Sequence, residues 1–199
     1  MIGYIGRYPY TSLNADLDAR QTRQNAYCIF AALSGQRSPW SKNAIAAMLG
    51  NMEVESGINP GRWQGLIDTD PTRAYGLVQW RPSTKYTDWC AAYGYDPPTM
   101  QAALARLNFE VISNLQFFPT SDYPIDFAHF KVSQRPTRWL AEAFCVNYER
   151  PASPNLTERG DLAEKWYREI STMQRPVDVT AVAVLARRKQ QLQMGGRRN

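Results

Sequence analysis

Glu55 is the residue best placed for acid–base chemistry. On a helix read from about Ser41 to Glu55, it lies roughly 20° from Met48 at ~100° per residue, on the flank of an apolar stripe. It also falls in the last turn of that helix. Apolar neighbours disfavour a carboxylate by desolvation, and the C-terminal end of a helix disfavours it through the macrodipole. The sequence therefore offers Glu55 as a proton donor. Glu53 projects about 160° away on the same wheel, so the two acids cannot share one cleft as an i,i+2 pair. A second carboxylate would come from Asp68, Asp70, Asp88 or Glu149. Asp68 and Asp70 also read as solvated turn residues. Glu149 also reads as the ion-pair partner of Arg150 or of another structural cation.

The elements that must position these groups are mostly helical. Asn14 or Asp16 opens a helix that stops at Gly35, and Ser41 caps the second helix. In that second helix Ile45, Met48, Leu49 and Met52 recur at i, i+3, i+4, i+7. A turn-rich segment from Asn59 to about Pro82 comes next and reads as a small β-hairpin or a loop. Further helices are expected at about 83–93, 99–116, 123–132, 136–149 and 157–171, separated by prolines. The character changes after Met173, so the expected division is a domain over 1–173 and a tail over 174–199.

Composition bounds what this arrangement serves. The chain has 199 residues, 44% hydrophobic and 21% charged, the balance of one globular domain with a real core. The formal charge is +5, and Arg175, Arg187, Arg188, Lys189, Arg197 and Arg198 against Asp178 place all of it in the tail. A neutral body speaks against a nucleic-acid reader. No run reaches the ~20 apolar residues of a membrane span, and MIGYIGRYPYTSLN carries no signal-peptide core, so the chain is expected to be made in the cytoplasm and to need another route out if it acts outside the cell. Cys28, Cys90 and Cys145 read as reduced core thiols, and His129, the sole histidine, as a structural helix residue. No metal site or cofactor is expected. Trp40, Trp139 and Trp166 are assigned to packing. Trp63 and Trp80 are left open between packing and a cleft.

Three blocks in order carry a resemblance. They are Glu55-Ser56-Gly57-Ile58-Asn59-Pro60, then Ala74-Tyr75-Gly76-Leu77-Val78-Gln79-Trp80, then Phe144-Cys145-Val146-Asn147-Tyr148-Glu149-Arg150-Pro151. Together they resemble the lysozyme-like superfamily of goose-type lysozymes and lytic transglycosylases. More closely, over about residues 20–171, they resemble the tail lysozyme family of bacteriophages, as in the muramidase domain of tail-knob proteins of short-tailed phages of Gram-positive hosts.

The resemblance implies a mainly α (α+β) lysozyme-like domain with a sugar cleft between the Glu55 helix and residues 59–82. It implies cleavage of the β-1,4 bond between N-acetylmuramic acid and N-acetylglucosamine, by hydrolysis or by transglycosylation, with Glu55 as the acid. Glu149 is then the candidate second catalytic group. Ser56, Tyr75, Gly76, Gln79, Trp80, Asn147 and Tyr148 become candidate sugar-binding residues, with the amides meeting acetamido groups and the rings stacking on sugar faces. The implied partners are peptidoglycan and other virion proteins, the latter met through the tail. The implied place is the phage tail, with wall opening during genome delivery. Endolysin action, or an inactive structural role, is the alternative. A second, zinc peptidase domain is frequent beside such muramidases. One histidine cannot build its metal site, so glycan cleavage alone is expected.

Overall fold

The computed structural model describes residues 1–173, so the expected tail lies outside the described residues. The chain opens with an antiparallel pair, β1 (Ile2–Ile5) and β2 (Tyr8–Thr11), with Ile2 opposite Thr11 and Ile5 opposite Tyr8. Seven helices come after it: α1 (Ala19–Ser34), α2 (Lys42–Ser56), α3 (Thr84–Tyr93), α4 (Met100–Ile112), α5 (Phe127–Val132), α6 (Thr137–Phe144) and α7 (Leu156–Ser171). This is the mainly helical, lysozyme-like architecture expected. None of the described helices is long and apolar enough to cross a membrane.

Among the differences from the sequence reading, two fall in the first half of the chain. The regular strand pair lies at residues 2–11, ahead of the first helix, whereas 59–82 is a loop pinned by isolated bridges of Tyr75 to Trp63 and to Trp80. The first helix begins later, because Asp18 rather than Asn14 or Asp16 caps it. The Asp18 side chain accepts from the Gln21 N–H while Gln21 returns a bond to the Asp18 N–H, so two otherwise orphaned donors are satisfied.

α2 is the central element. Ser41 Oγ accepts from the Ala44 N–H at its start, and Gly57 at φ 65° closes its end. The four-residue stripe understates its burial, since every residue from Ala44 to Met52 is buried. The small side chains of Ala44, Ala46, Ala47 and Gly50 admit partners on a second face, where α6 and α7 pack. At Gly50 the contact is backbone to backbone. An added Cβ would sit 2.6 Å from the Arg159 carbonyl oxygen and 2.7 Å from the Ala163 nitrogen. Gly50→Ala should therefore force α2 and α7 apart and lower stability by about 1–3 kcal/mol, the cost of overpacking. Thermal unfolding checks this, and a variant as stable as the native chain would contradict it.

The expected core thiols are buried and unpaired. Burial pushes Cys28 up to about 12 and Cys90 and Cys145 to about 11, so all three stay as unreactive thiols. Trp40 and Trp166 are core residues, and Trp139 packs against the core. His129 lies exposed on α5, its ring against the capping Asp126.

Candidate active site

Glu55 is the penultimate residue of α2, and its side chain is 20% exposed. The flank beside it is not simply apolar. Arg159, on the first turns of α7, reaches it across the helix contact, and Arg159 Nη2 donates to Glu55 Oε1 at 2.5 Å. Glu53 faces away as the helical wheel requires, accepting from Lys165 at 3.0 Å and from the Trp166 indole at 2.6 Å. A separate cavity of about 320 Å³ opens on that far side of α2. Its charged groups are paired within it, Lys165 with Glu53 and Arg23 with Glu169, so it offers no free charge to a ligand.

The second block is fastened to the end of α2. Ser56 is buried, and its hydroxyl donates to the Leu77 carbonyl at 2.8 Å while accepting from the Asn59 N–H at 3.2 Å. Tyr75 packs at a tilt against Trp63 with centroids 4.4 Å apart, and Trp80 stacks on Tyr86 at 4.3 Å. Gly76, at φ 87°, is there because a Cβ would meet the Trp80 ring at 3.0 Å. Gln79, partly exposed, donates to the carbonyls of Arg62 and Gly76.

The third block ends α6 in a π-helical turn, Cys145–Glu149, rather than in the uninterrupted helix expected over 136–149. The wider turn re-aims the side chains on it, as such bulges do at many functional sites. Asn147 is fully buried, with its amide donating to the Tyr123 carbonyl and accepting from the Thr120 hydroxyl. Tyr148 is buried as well, and its hydroxyl donates to Glu110 at 2.5 Å.

Glu110, which sequence reasoning passed over, joins the second block to the third. It is a wholly buried acid on α4 that accepts from Tyr148, from the Trp80 indole at 3.0 Å and from Arg106 at 2.8 Å. Burial pushes its carboxyl up, and the bonds from Tyr148, Arg106 and Trp80 offset part of that. The signal was available as the one acid inside the apolar stripe Ala103, Leu104, Leu107.

Ser56, Tyr75, Gly76, Trp80, Asn147 and Tyr148 are all buried, and the Ser56 hydroxyl, the Trp80 indole, the Asn147 amide and the Tyr148 hydroxyl are hydrogen-bonded to protein neighbours. Partly exposed groups are Glu55, Gln79 and, beside Tyr75, Trp63, while Glu149 is partly exposed only as a whole residue, its Oε1 being buried. Asp70 stays in the exposed loop, held below the usual carboxylate range first by hydrogen bonds from Thr72 and then by Arg73. Asp68 and Asp88 are exposed.

Glu149 is the unusual group. The expected pair with Arg150 does not form, because that guanidinium donates to the carbonyls of Gln116 and Asn147. Glu149 Oε1 is buried without a hydrogen-bond partner. Desolvation first, and the neighbouring Glu55 second, push its carboxyl well above the usual range despite the opposing pull of Arg159. A raised folded-state pKa means that the folded chain holds this proton more tightly than the unfolded chain. The group therefore costs stability as pH rises through and beyond the ordinary carboxylate range. Glu149→Gln should raise the Tm by a few degrees at pH 8, with the gain shrinking toward pH 4. A pH-independent difference in a thermal-unfolding series would contradict this.

Comparison with known proteins gives the same outline. The family described as phage tail lysozyme matches residues 24–170. Over 162 residues the chain is 40% identical to Morphogenesis protein 1 of Bacillus phage B103, covering 81% of this chain and 43% of that protein. The chain thus spans less than half the length of this relative.

Proposed function

The chain belongs to the phage tail lysozyme family, and from that premise we propose that it is a virion-associated peptidoglycan hydrolase. On this reading it cleaves the β-1,4 bond between N-acetylmuramic acid and N-acetylglucosamine and opens the host wall locally during genome delivery. Glu55 and Glu149 are its two carboxylates. The observation that carries the reading is Glu55 held by the buried Arg159 at the end of α2, with Glu149 Oε1 of the third block left buried without a hydrogen-bond partner.

Such a pair of groups can serve glycan cleavage. One carboxyl protonates the leaving oxygen, and a negative group meets the oxocarbenium-like charge left on the sugar. Gln79 and Trp63 meet the glycan beside the carboxylates, while the buried ring and amide residues keep the wall rigid. The relative's name, Morphogenesis protein 1, supports a component of the particle. The partners are then peptidoglycan and other virion proteins, the latter met through residues 174–199.

Purified Gram-positive cell walls give the test. Their turbidity should fall on adding the protein with no release of free amino groups, since only glycosidic bonds break. Unchanged turbidity, or amino groups released in step with clearing, would overturn the reading.

A further inference from the structure

We propose that Arg150 and Phe118 form a subsite for a carboxylate of the stem peptide carried by N-acetylmuramic acid, so that the protein favours glycan strands with anionic stems. This rests on the glycan-cleaving reading above and names a part of the substrate met away from the scissile bond.

Arg150 closes the π-helical turn, its N–H donating to the Cys145 carbonyl at 2.8 Å, and its φ of 51° ends the helical path. Nη1 donates to the carbonyls of Gln116 and Asn147 at 2.6 Å each. The Phe118 N–H donates to that same Asn147 carbonyl at 2.9 Å, and the Phe118 ring centroid lies 5.0 Å from the guanidinium carbon. The guanidinium is thus held by one nitrogen and one ring. Among the described residues Nε and Nη2 have no acceptor. Both residues face solvent, with Phe118 57% exposed.

A single exposed ring is ordinary on a protein surface. A ring set against a held guanidinium that has no carboxylate partner among the described residues is a surface for an anion with an apolar shoulder. Arg62, Arg73 and Arg159 are each ion-paired. Bonds on the same loop connect this surface to the candidate acid. The stretch opened by Arg150 runs to Pro154, whose carbonyl accepts from Arg159 Nε at 2.9 Å, and Arg159 Nη2 donates to Glu55 at 2.5 Å.

Peptidoglycan brings the matching chemistry. The lactyl group of N-acetylmuramic acid carries a short peptide with free carboxylates and apolar alanine side chains. The open edge of a guanidinium takes a carboxylate through two parallel N–H bonds, and the phenyl ring takes the apolar part. A strand of N-acetylglucosamine alone brings neither. The site is open to water, so its contribution is modest, about tenfold in kcat/KM and expressed in KM.

Soluble peptidoglycan strands give the test, compared with the same strands after their carboxylates are converted to methylamides. The native protein should favour the free-carboxylate strands by about tenfold in kcat/KM, and the preference should shrink as salt rises. Arg150→Gln should bring the ratio close to one. Arg150→Lys should keep part of it, having the charge without the fork. Phe118→Ala should lower it to about threefold. A purely structural fault would slow cleavage of both substrates together and leave the ratio where it was, and thermal unfolding verifies that each variant is folded. Equal native rates on the two substrates, or an undiminished ratio in Arg150→Gln, overturns the subsite alone. A native protein that cleaves neither substrate overturns the glycan-cleaving reading with it.

Discussion

Glu55→Gln is expected to abolish wall cleavage while leaving the fold intact, a loss on the order of 10²–10⁴-fold, the range measured for such catalytic groups. The amide has nearly the carboxylate's shape, and its oxygen can still accept from Arg159 Nη2. Arg159 also keeps its bonds to Asn51 and Pro154, so the buried guanidinium is not stranded. What disappears is the carboxyl group that glycan cleavage needs at this position. Turbidity clearing of purified walls measures the loss, and unchanged thermal unfolding shows that chemistry rather than folding was removed. Native clearing by a folded Gln variant would contradict the placement of Glu55 in the site.

Glu110→Ala is expected to have the opposite character, losing stability first and activity with it. Three donors converge on this carboxylate, and Arg106 is only 12% exposed. Its removal leaves a nearly buried cation, an indole N–H and a phenol without an acceptor. Breaking a buried pair from one side costs about 3–5 kcal/mol. For a domain of this size that lowers the Tm by roughly 10 °C or more. Trp80 and Tyr148 would also lose their common anchor, so the wall between the second and third blocks loosens. Glu110→Gln retains one acceptor and should fall between the two. A Glu110→Ala chain unfolding at the native temperature would contradict this role.

Much of the frame is legible in local sequence, because caps and periodicity act within a few residues. Ser41 opens α2 as its sequence indicates, and the apolar stripe gives its direction. The placement of Glu53 and Glu55 on opposite sides comes from helix geometry alone. The partners of those acids do not, because Arg159 lies 104 positions from Glu55 and only the packing of α2 on α7 through Gly50 brings them together.

The aromatic residues mislead for a related reason. A ring within a motif has the same composition whether it stacks on a ligand or on another ring. Here Trp80 faces Tyr86, and Tyr75 faces Trp63. The π-helical turn at Cys145–Glu149 is invisible to a 3.6-residue reading, which makes the orientation of Glu149 the hardest part of the site to foresee. The pair β1–β2 escapes a sequence reading because two four-residue strands carry too few alternations to stand out.

The most direct test of the central claim is mass spectrometry of a peptidoglycan digest. Purified walls incubated with the protein should yield soluble saccharide–peptide fragments whose ends lie at the bond between N-acetylmuramic acid and N-acetylglucosamine, with the stem peptides and their cross-links intact. Glu55→Gln and Glu149→Gln should yield none from the same walls. Undigested glycan strands with the native protein, or fragments cut within the peptides, would contradict the account.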